Sequence, residues 1–112
     1  MSKKLHILWT SNDVHTAHFM VFMYAINALT KNWWDEVTVI IWGSSAKLVA
    51  EDKSIQDKIE MAKYLGVKVS ACIACATQLG VVDKLKELGL EAIPWGQPLT
   101  DLIQNNEPLL SV

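Results

Sequence analysis

The 112-residue chain contains no arginine, and all ten of its basic residues are lysine. Arginine makes most of the bidentate contacts to phosphate and guanine in proteins, so its absence argues against nucleic-acid binding. The formal net charge of −2 adds no basic surface for such a partner. No apolar run reaches the roughly 18 residues that a membrane span needs, and no secretory signal pattern follows Met1. We therefore expect a cytoplasmic protein with neither a membrane nor a nucleic acid as partner.

Glycine-rich phosphate loops are also missing. Neither G-x-G-x-x-G nor G-x-x-x-x-G-K-[ST] occurs in the sequence, so nothing supports the use of ATP or NAD, and we expect no cofactor. Cysteine is scarce, since Cys72 and Cys75 are the only two. In a cytoplasmic protein, two cysteines three positions apart are more typical of a reactive or metal-binding site than of a structural disulfide.

Apolar runs alternate with helical patterns along the whole chain. Strands are predicted at residues 5–9, 37–41, 67–72, 90–93 and 109–112. Helices are predicted at about 14–29, 46–50, 54–65, 78–88 and 98–104, with Ser54 opening a capping box and Pro98 starting the last helix. Such alternation predicts an α/β fold with a mostly parallel sheet of four to five strands, in a single domain over residues 1–112.

The first predicted helix is apolar nearly all round, through Phe19, Met20, Phe22, Met23 and Ile26. A surface helix normally keeps a polar face, and a monomer seldom exposes so large an apolar patch. We therefore expect one side of this helix to pack on the sheet and the other side to pack on a second subunit of a homo-oligomer.

Small, polar and aromatic residues follow the predicted strands where each strand ends. In an open parallel sheet the ligand crevice lies beyond the carboxyl ends of the strands. We expect Cys72 and Cys75 to lie there as the catalytic candidates. The residues expected to form a pocket around them are Asn12, His15, Trp42, Gly43, Ser44, Trp95 and Gly96.

Three chemistries are compatible with Cys72-Ile-Ala-Cys75. The pair could form a redox dithiol of the thioredoxin kind, or supply half of the roughly four ligands that zinc needs. Alternatively, one thiolate could carry sulfur as a persulfide, with the other cysteine as bystander or resolving thiol. His15 and His18 fit polar positions of the first helix better than a metal site, so no metal ligand is assigned. The cysteines could also be small core residues of a protein that only binds a ligand or assembles.

Several short motifs resemble the DsrE/DsrF-like family of sulfur-relay proteins. They are Ile41-Trp-Gly-Ser-Ser45, Gly66-Val-Lys-Val-Ser-Ala-Cys72, Leu79-Gly-Val81 and Pro98-Leu-Thr-Asp-Leu-Ile103. The resemblance implies a three-layer α/β/α sandwich on a parallel five-stranded sheet, and homo-oligomers that are often trimers or hexamers. It also implies a carrier of sulfane sulfur on Cys72, which receives sulfur from a donor protein and passes it to an acceptor protein.

The predicted positions of the two cysteines imply that their thiols differ in reactivity. Cys72 is expected at the strand end, near free N–H groups of the following helix, where the thiolate is favoured. Cys75 is expected one turn inside or against the core, where apolar surroundings raise a thiol pKa. The sequence therefore predicts that Cys72 reacts faster than Cys75.

Overall fold

Residues 2–112, which the computed structural model describes, contain five strands in one parallel sheet, ordered β4-β3-β2-β1-β5. The strands are β1 (Lys4–Trp9), β2 (Glu36–Ile41), β3 (Lys68–Cys72), β4 (Glu91–Ile93) and β5 (Leu109–Ser111). The predicted α/β class and parallel sheet are confirmed. The last short apolar run does form an edge strand, because β5 pairs only with β1.

Helical segments connect the strands. They are α1 (Val14–Thr16), a π-helical segment (Ala17–Phe22), α2 (Met23–Thr30), α3 (Ser45–Glu51), α4 (Lys53–Tyr64), α5 (Ile73–Leu79), α6 (Val82–Glu87) and α7 (Gly96–Gln104). The first three segments form one continuous helical run over residues 14–30, which agrees with the first helix predicted at about 14–29. No helix within residues 2–112 combines the length and the apolar character needed to cross a membrane.

The two faces of the sheet are covered unequally. Val37, Val39 and Ile41 of β2 belong to a large core that includes buried residues of α2, α3, α4, α5 and α6. Ile40 belongs to a second group, here called the small cluster. The small cluster consists of Ile40, Cys72 and Trp95, with Leu8, Trp42, Cys75, Ile93 and Leu102 packed against it. Since Leu102 lies on α7, this helix covers part of the second face and completes the sandwich.

The prediction of one long third helix over residues 78–88 is wrong in both its start and its continuity. Helix α5 begins at Ile73, directly after Cys72, and ends where Gly80 adopts a left-handed backbone conformation with φ 71°. A separate helix, α6, begins at Val82. The apolar periodicity continues across the break, so only the glycine marks it.

Two predicted helix starts are also wrong. Helix α4 is capped by Asp52, whose carboxylate accepts the backbone N–H of Ile55 at 3.0 Å. Ser54 lies inside the first turn and donates its hydroxyl to the same Asp52 oxygen at 2.6 Å. Helix α7 begins at Gly96, two residues before Pro98. In both helices the predicted role falls to the residue two positions upstream. Asp52 replaces Ser54 as the cap of α4, and Gly96 replaces Pro98 as the first residue of α7.

The break between α5 and α6 predicts a contrast between two glycines. At Gly80 an added methyl group would meet no atom within 4 Å, so Gly80→Ala strains only the backbone and should cost about 1 kcal/mol of unfolding free energy. At Gly96, which has equally open space and no positive φ, Gly96→Ala should be neutral or stabilising by about 0.5 kcal/mol. Urea unfolding of both variants measures the difference, and equal free energies would contradict the assigned left-handed cap.

Candidate functional site

The carboxyl ends of β1 and β2 are joined directly at the sheet edge. The backbone N–H of Trp42 donates to the carbonyl of Trp9 at 3.0 Å. The buried hydroxyl of Ser45 donates to the same carbonyl at 2.7 Å and accepts the Trp42 N–H at 3.1 Å. The hydroxyl of Ser44 donates to the carbonyl of Thr10 at 2.8 Å. The turn after β2 is therefore held on the end of β1.

Cys72 lies at the next strand end and has two structural roles. It is the last residue of β3 and the N-cap of α5, with an extended backbone at φ −75° and ψ 118°. Its side chain is only 4 % exposed and packs with Ile40 and Trp95. The indole N–H of Trp95 donates to the hydroxyl of Ser70 at 2.8 Å, which fixes the ring over this part of the sheet.

Cys75 is the third residue of α5 and opens to a surface pocket of about 370 Å³. The pocket is lined by Gly43, Ser44, Ala74, Cys75, Gln78 and Leu79. Cys75 is half-buried, and it also packs against the small cluster that contains Cys72. None of the lining side chains carries a formal charge, and the nucleophilic groups among them are the thiol of Cys75 and the hydroxyl of Ser44.

Burial raises the pKa of the Cys75 thiol above its ordinary value. The backbone N–H of Gly43 acts in the opposite direction by favouring the thiolate, and the neighbouring Cys72 thiol raises the pKa further. Gly43 supplies this N–H from a left-handed turn conformation with φ 68°, which glycine adopts without steric cost. The net effect is that Cys75 is mainly a neutral thiol at neutral pH.

The structure divides the predicted site residues into three groups. Gly43, Ser44 and Cys75 line the pocket. Cys72, Trp42 and Trp95 lie together in the small cluster beside it. The predicted residues that do not line this pocket and are exposed elsewhere are Asn12, His15 and Gly96. His15 instead stacks on Phe19, with ring centroids 6.1 Å apart.

Ala74, Gln78 and Leu79 line the pocket but were not identified from the sequence. Gln78 and Leu79 lie three and four residues after Cys75, and such residues share one face of a helix. Placing the helix start at Ile73 would have revealed them. In residues 2–112, no three or more histidine, cysteine or carboxylate side chains are grouped so as to hold a metal ion.

The expected order of burial of the two thiols is wrong. Cys72 is the more buried residue, because Trp95, which follows the end of β4, packs in the same cluster. Cys75 is the cysteine that lines the pocket. The expectation that apolar surroundings raise the pKa of Cys75 agrees in direction with the structure. Both cysteines remain catalytic candidates, but the accessible one is Cys75 and not Cys72.

No protein-family model and no curated protein matches the chain. Among solved structures, the conserved protein of unknown function BT1422 from Bacteroides thetaiotaomicron is 37 % identical with a TM-score of 0.94, covering 98 % of this chain and 95 % of that one. This chain belongs to the family of the Bacteroides protein.

The ychN protein from E. coli has the same fold as this family. It is 16 % identical to the chain with a TM-score of 0.72, and the alignment covers 100 % of both chains. At this level of identity the likeness concerns the fold alone. The helix-flanked parallel sheet is thus shared over 95 % of the Bacteroides chain and 100 % of the ychN chain.

The pocket predicts how the two thiols respond to an alkylating agent in the folded protein. Cys75 should be labelled first, and its rate should rise with pH beyond the ordinary thiol pKa of about 8.5, because the raised pKa delays formation of the thiolate. Cys72 should be labelled only slowly, because its side chain is buried. Peptide mass mapping of the wild type, with Cys72→Ser and Cys75→Ser as controls, measures both rates. Faster labelling of Cys72 would contradict the assignment.

Proposed function

We propose that this protein is a sulfur-relay protein whose Cys72–Cys75 pair holds sulfane sulfur as a persulfide and passes it to a partner. The observation that carries the proposal is the meeting of the two thiols at the carboxyl edge of a parallel sheet, with Cys75 open to a pocket. The motifs that resemble the DsrE/DsrF-like family support the same function, and the fold shared with ychN is compatible with it.

Cys75 receives the sulfur in this proposal, although the resemblance matches Cys72 to the sulfur-carrying cysteine. The thiolate of Cys75 attacks the outer sulfur of a donor persulfide or polysulfide. A bond forms between the Cys75 Sγ atom and that sulfur, the donor's S–S bond breaks, and the donor leaves as a thiolate. The N–H of Gly43 favours the attacking thiolate, and the uncharged pocket wall accommodates a polarisable sulfur atom.

A redox dithiol is the second candidate function. It is favoured by the contact of Cys75 with the cluster that contains Cys72, since a C-x-x-C pair can close to a disulfide. A dithiol of this kind would cycle between two thiols and one disulfide without gaining sulfur. The mass of the intact protein therefore separates the two functions.

Treatment with inorganic polysulfide should add about 32 Da, one sulfur atom, to the wild-type protein. Cys75→Ser should lose this adduct, because the remaining thiol is buried. Cys72→Ser should still form it. Intact-mass spectrometry of the three folded proteins checks the prediction. Direct loss of about 2 Da without any adduct would favour the dithiol instead, and an unchanged mass would indicate a protein that only binds or assembles.

We also propose that the protein is a homo-oligomer, of the trimeric or hexameric kind that the resemblance implies. An apolar surface remains on the first helical run and α4, where Phe19 is 65 % exposed and Met20, Met23 and Met61 are also exposed. A groove of about 450 Å³ lies between these helices, lined in part by Phe19, Met23, Ile26 and Met61. A second copy of the chain would cover these side chains, and apolar patches of this kind are typical of interfaces.

Light scattering should find the wild type above the monomer mass at micromolar concentration. Phe19→Asp should lower the mass, because it places a charge in the apolar surface. Ile103→Asp is the matched control, since Ile103 is similarly exposed but lies on α7 over the other face of the sheet. A monomeric wild type, or an equal effect of the two substitutions, would contradict this interface.

A further inference from the structure

The two thiols of the site have different neighbours. Cys75 borders the pocket and also packs against the small cluster. Cys72 belongs to that cluster and is 4 % exposed. A molecule in the pocket therefore meets Cys75, whereas the nucleophile next to Cys75 on its buried side is Cys72.

We propose that Cys72 is a resolving thiol that limits the lifetime of a persulfide on Cys75, an inference that rests on the sulfur-relay function proposed above. In this step the Cys72 sulfur attacks the Sγ atom of Cys75. A bond forms between the two Sγ atoms, and the bond from Cys75 to its terminal sulfur breaks. The terminal sulfur leaves with the electron pair as hydrosulfide and takes the proton released by Cys72.

The electrons of this step balance without an outside oxidant. The sulfane sulfur is reduced to sulfide, and the two cysteine thiols are oxidised to one disulfide. Only the return to two thiols needs a further reagent, for which a small-molecule thiol or dithiol reductant suffices. The site would thus pass its sulfur to an acceptor that arrives in time, and otherwise release it as sulfide.

The position of the pocket favours attack on the inner sulfur. Exchange at sulfur proceeds with the attacking and leaving atoms on opposite sides of the sulfur between them. The pocket of about 370 Å³ gives the terminal sulfur space on the open side of Cys75. Cys72 approaches from the cluster side, where an external thiol has no access.

The backbone also limits the choice of partner for Cys72. As the last residue of β3 and the N-cap of α5, it is held by both the sheet and the helix. Ile40 and Trp95 pack around it. Cys75 is the only other cysteine in the sequence, so a disulfide within one chain can form only between these two residues.

The test follows sulfur after loading, in the absence of an acceptor. Wild type, Cys72→Ser and Cys72→Ala are treated with inorganic polysulfide, freed of excess reagent, and sampled over time for intact mass and for released sulfide. The wild type should first gain about 32 Da and then become about 2 Da lighter than at the start, with release of one equivalent of sulfide. Both Cys72 variants should keep the adduct at least about tenfold longer, because they lack the resolving thiol.

Mapping of the wild-type product gives a readout that does not depend on any variant. Cleavage after Lys68 and Lys84 yields one peptide, residues 69–84, that contains both cysteines, and it should carry an internal disulfide once sulfide has been released. Equal adduct lifetimes in wild type and both Cys72 variants would overturn the resolving role while leaving the sulfur-relay function in place. Absence of any adduct in all three proteins would overturn that function and this inference together.

Discussion

The site depends on the absence of any loop between β3 and α5. Cys72 ends the strand and caps the helix, and Ile73 is already helical. The hydrogen bonds of the sheet therefore fix the position of Cys72, and the first turn of the helix fixes Cys75 relative to it. Two thiols on a flexible loop would sample many separations, whereas here each thiol is placed by regular secondary structure.

A second constraint comes from the turn after β2. The buried hydroxyl of Ser45 joins this turn to the end of β1, and Gly43 takes the left-handed conformation that directs its N–H toward Cys75. These hydrogen bonds of Ser45 hold the turn that carries Gly43 and Ser44, two residues of the pocket wall. The chemistry of Cys75 is thus set by two strand ends that the sheet brings together, and not by any charged residue.

The sequence was sufficient for the fold class, because the β-branched runs and helical patterns alternate clearly. It also placed Gly43, Ser44 and both cysteines at one edge of the sheet. The helical pattern itself becomes clear only from Gln78, since Ile73 and Ala74 continue the apolar run of the strand and carry no cap signal. The burial of Cys72 was out of reach for a different reason. It depends on Trp95, which the sequence places near the cysteines as a pocket residue, but whose ring packs into the same buried cluster as Cys72 in the folded chain.

The pairing of β1 with β5 has a consequence for the order of folding. The carbonyl of Val112 accepts the hydroxyl of Thr10, a residue 102 positions earlier. Contacts so far apart in the chain are entropically costly to form before the intervening segments are compact. Pairing of β1 with β2, which lie closer together in the sequence, has the lower entropic cost, and pairing of β5 with the free edge of β1 has the higher one. On a ribosome, that edge would remain unpaired until the final residues of this segment have left the exit tunnel.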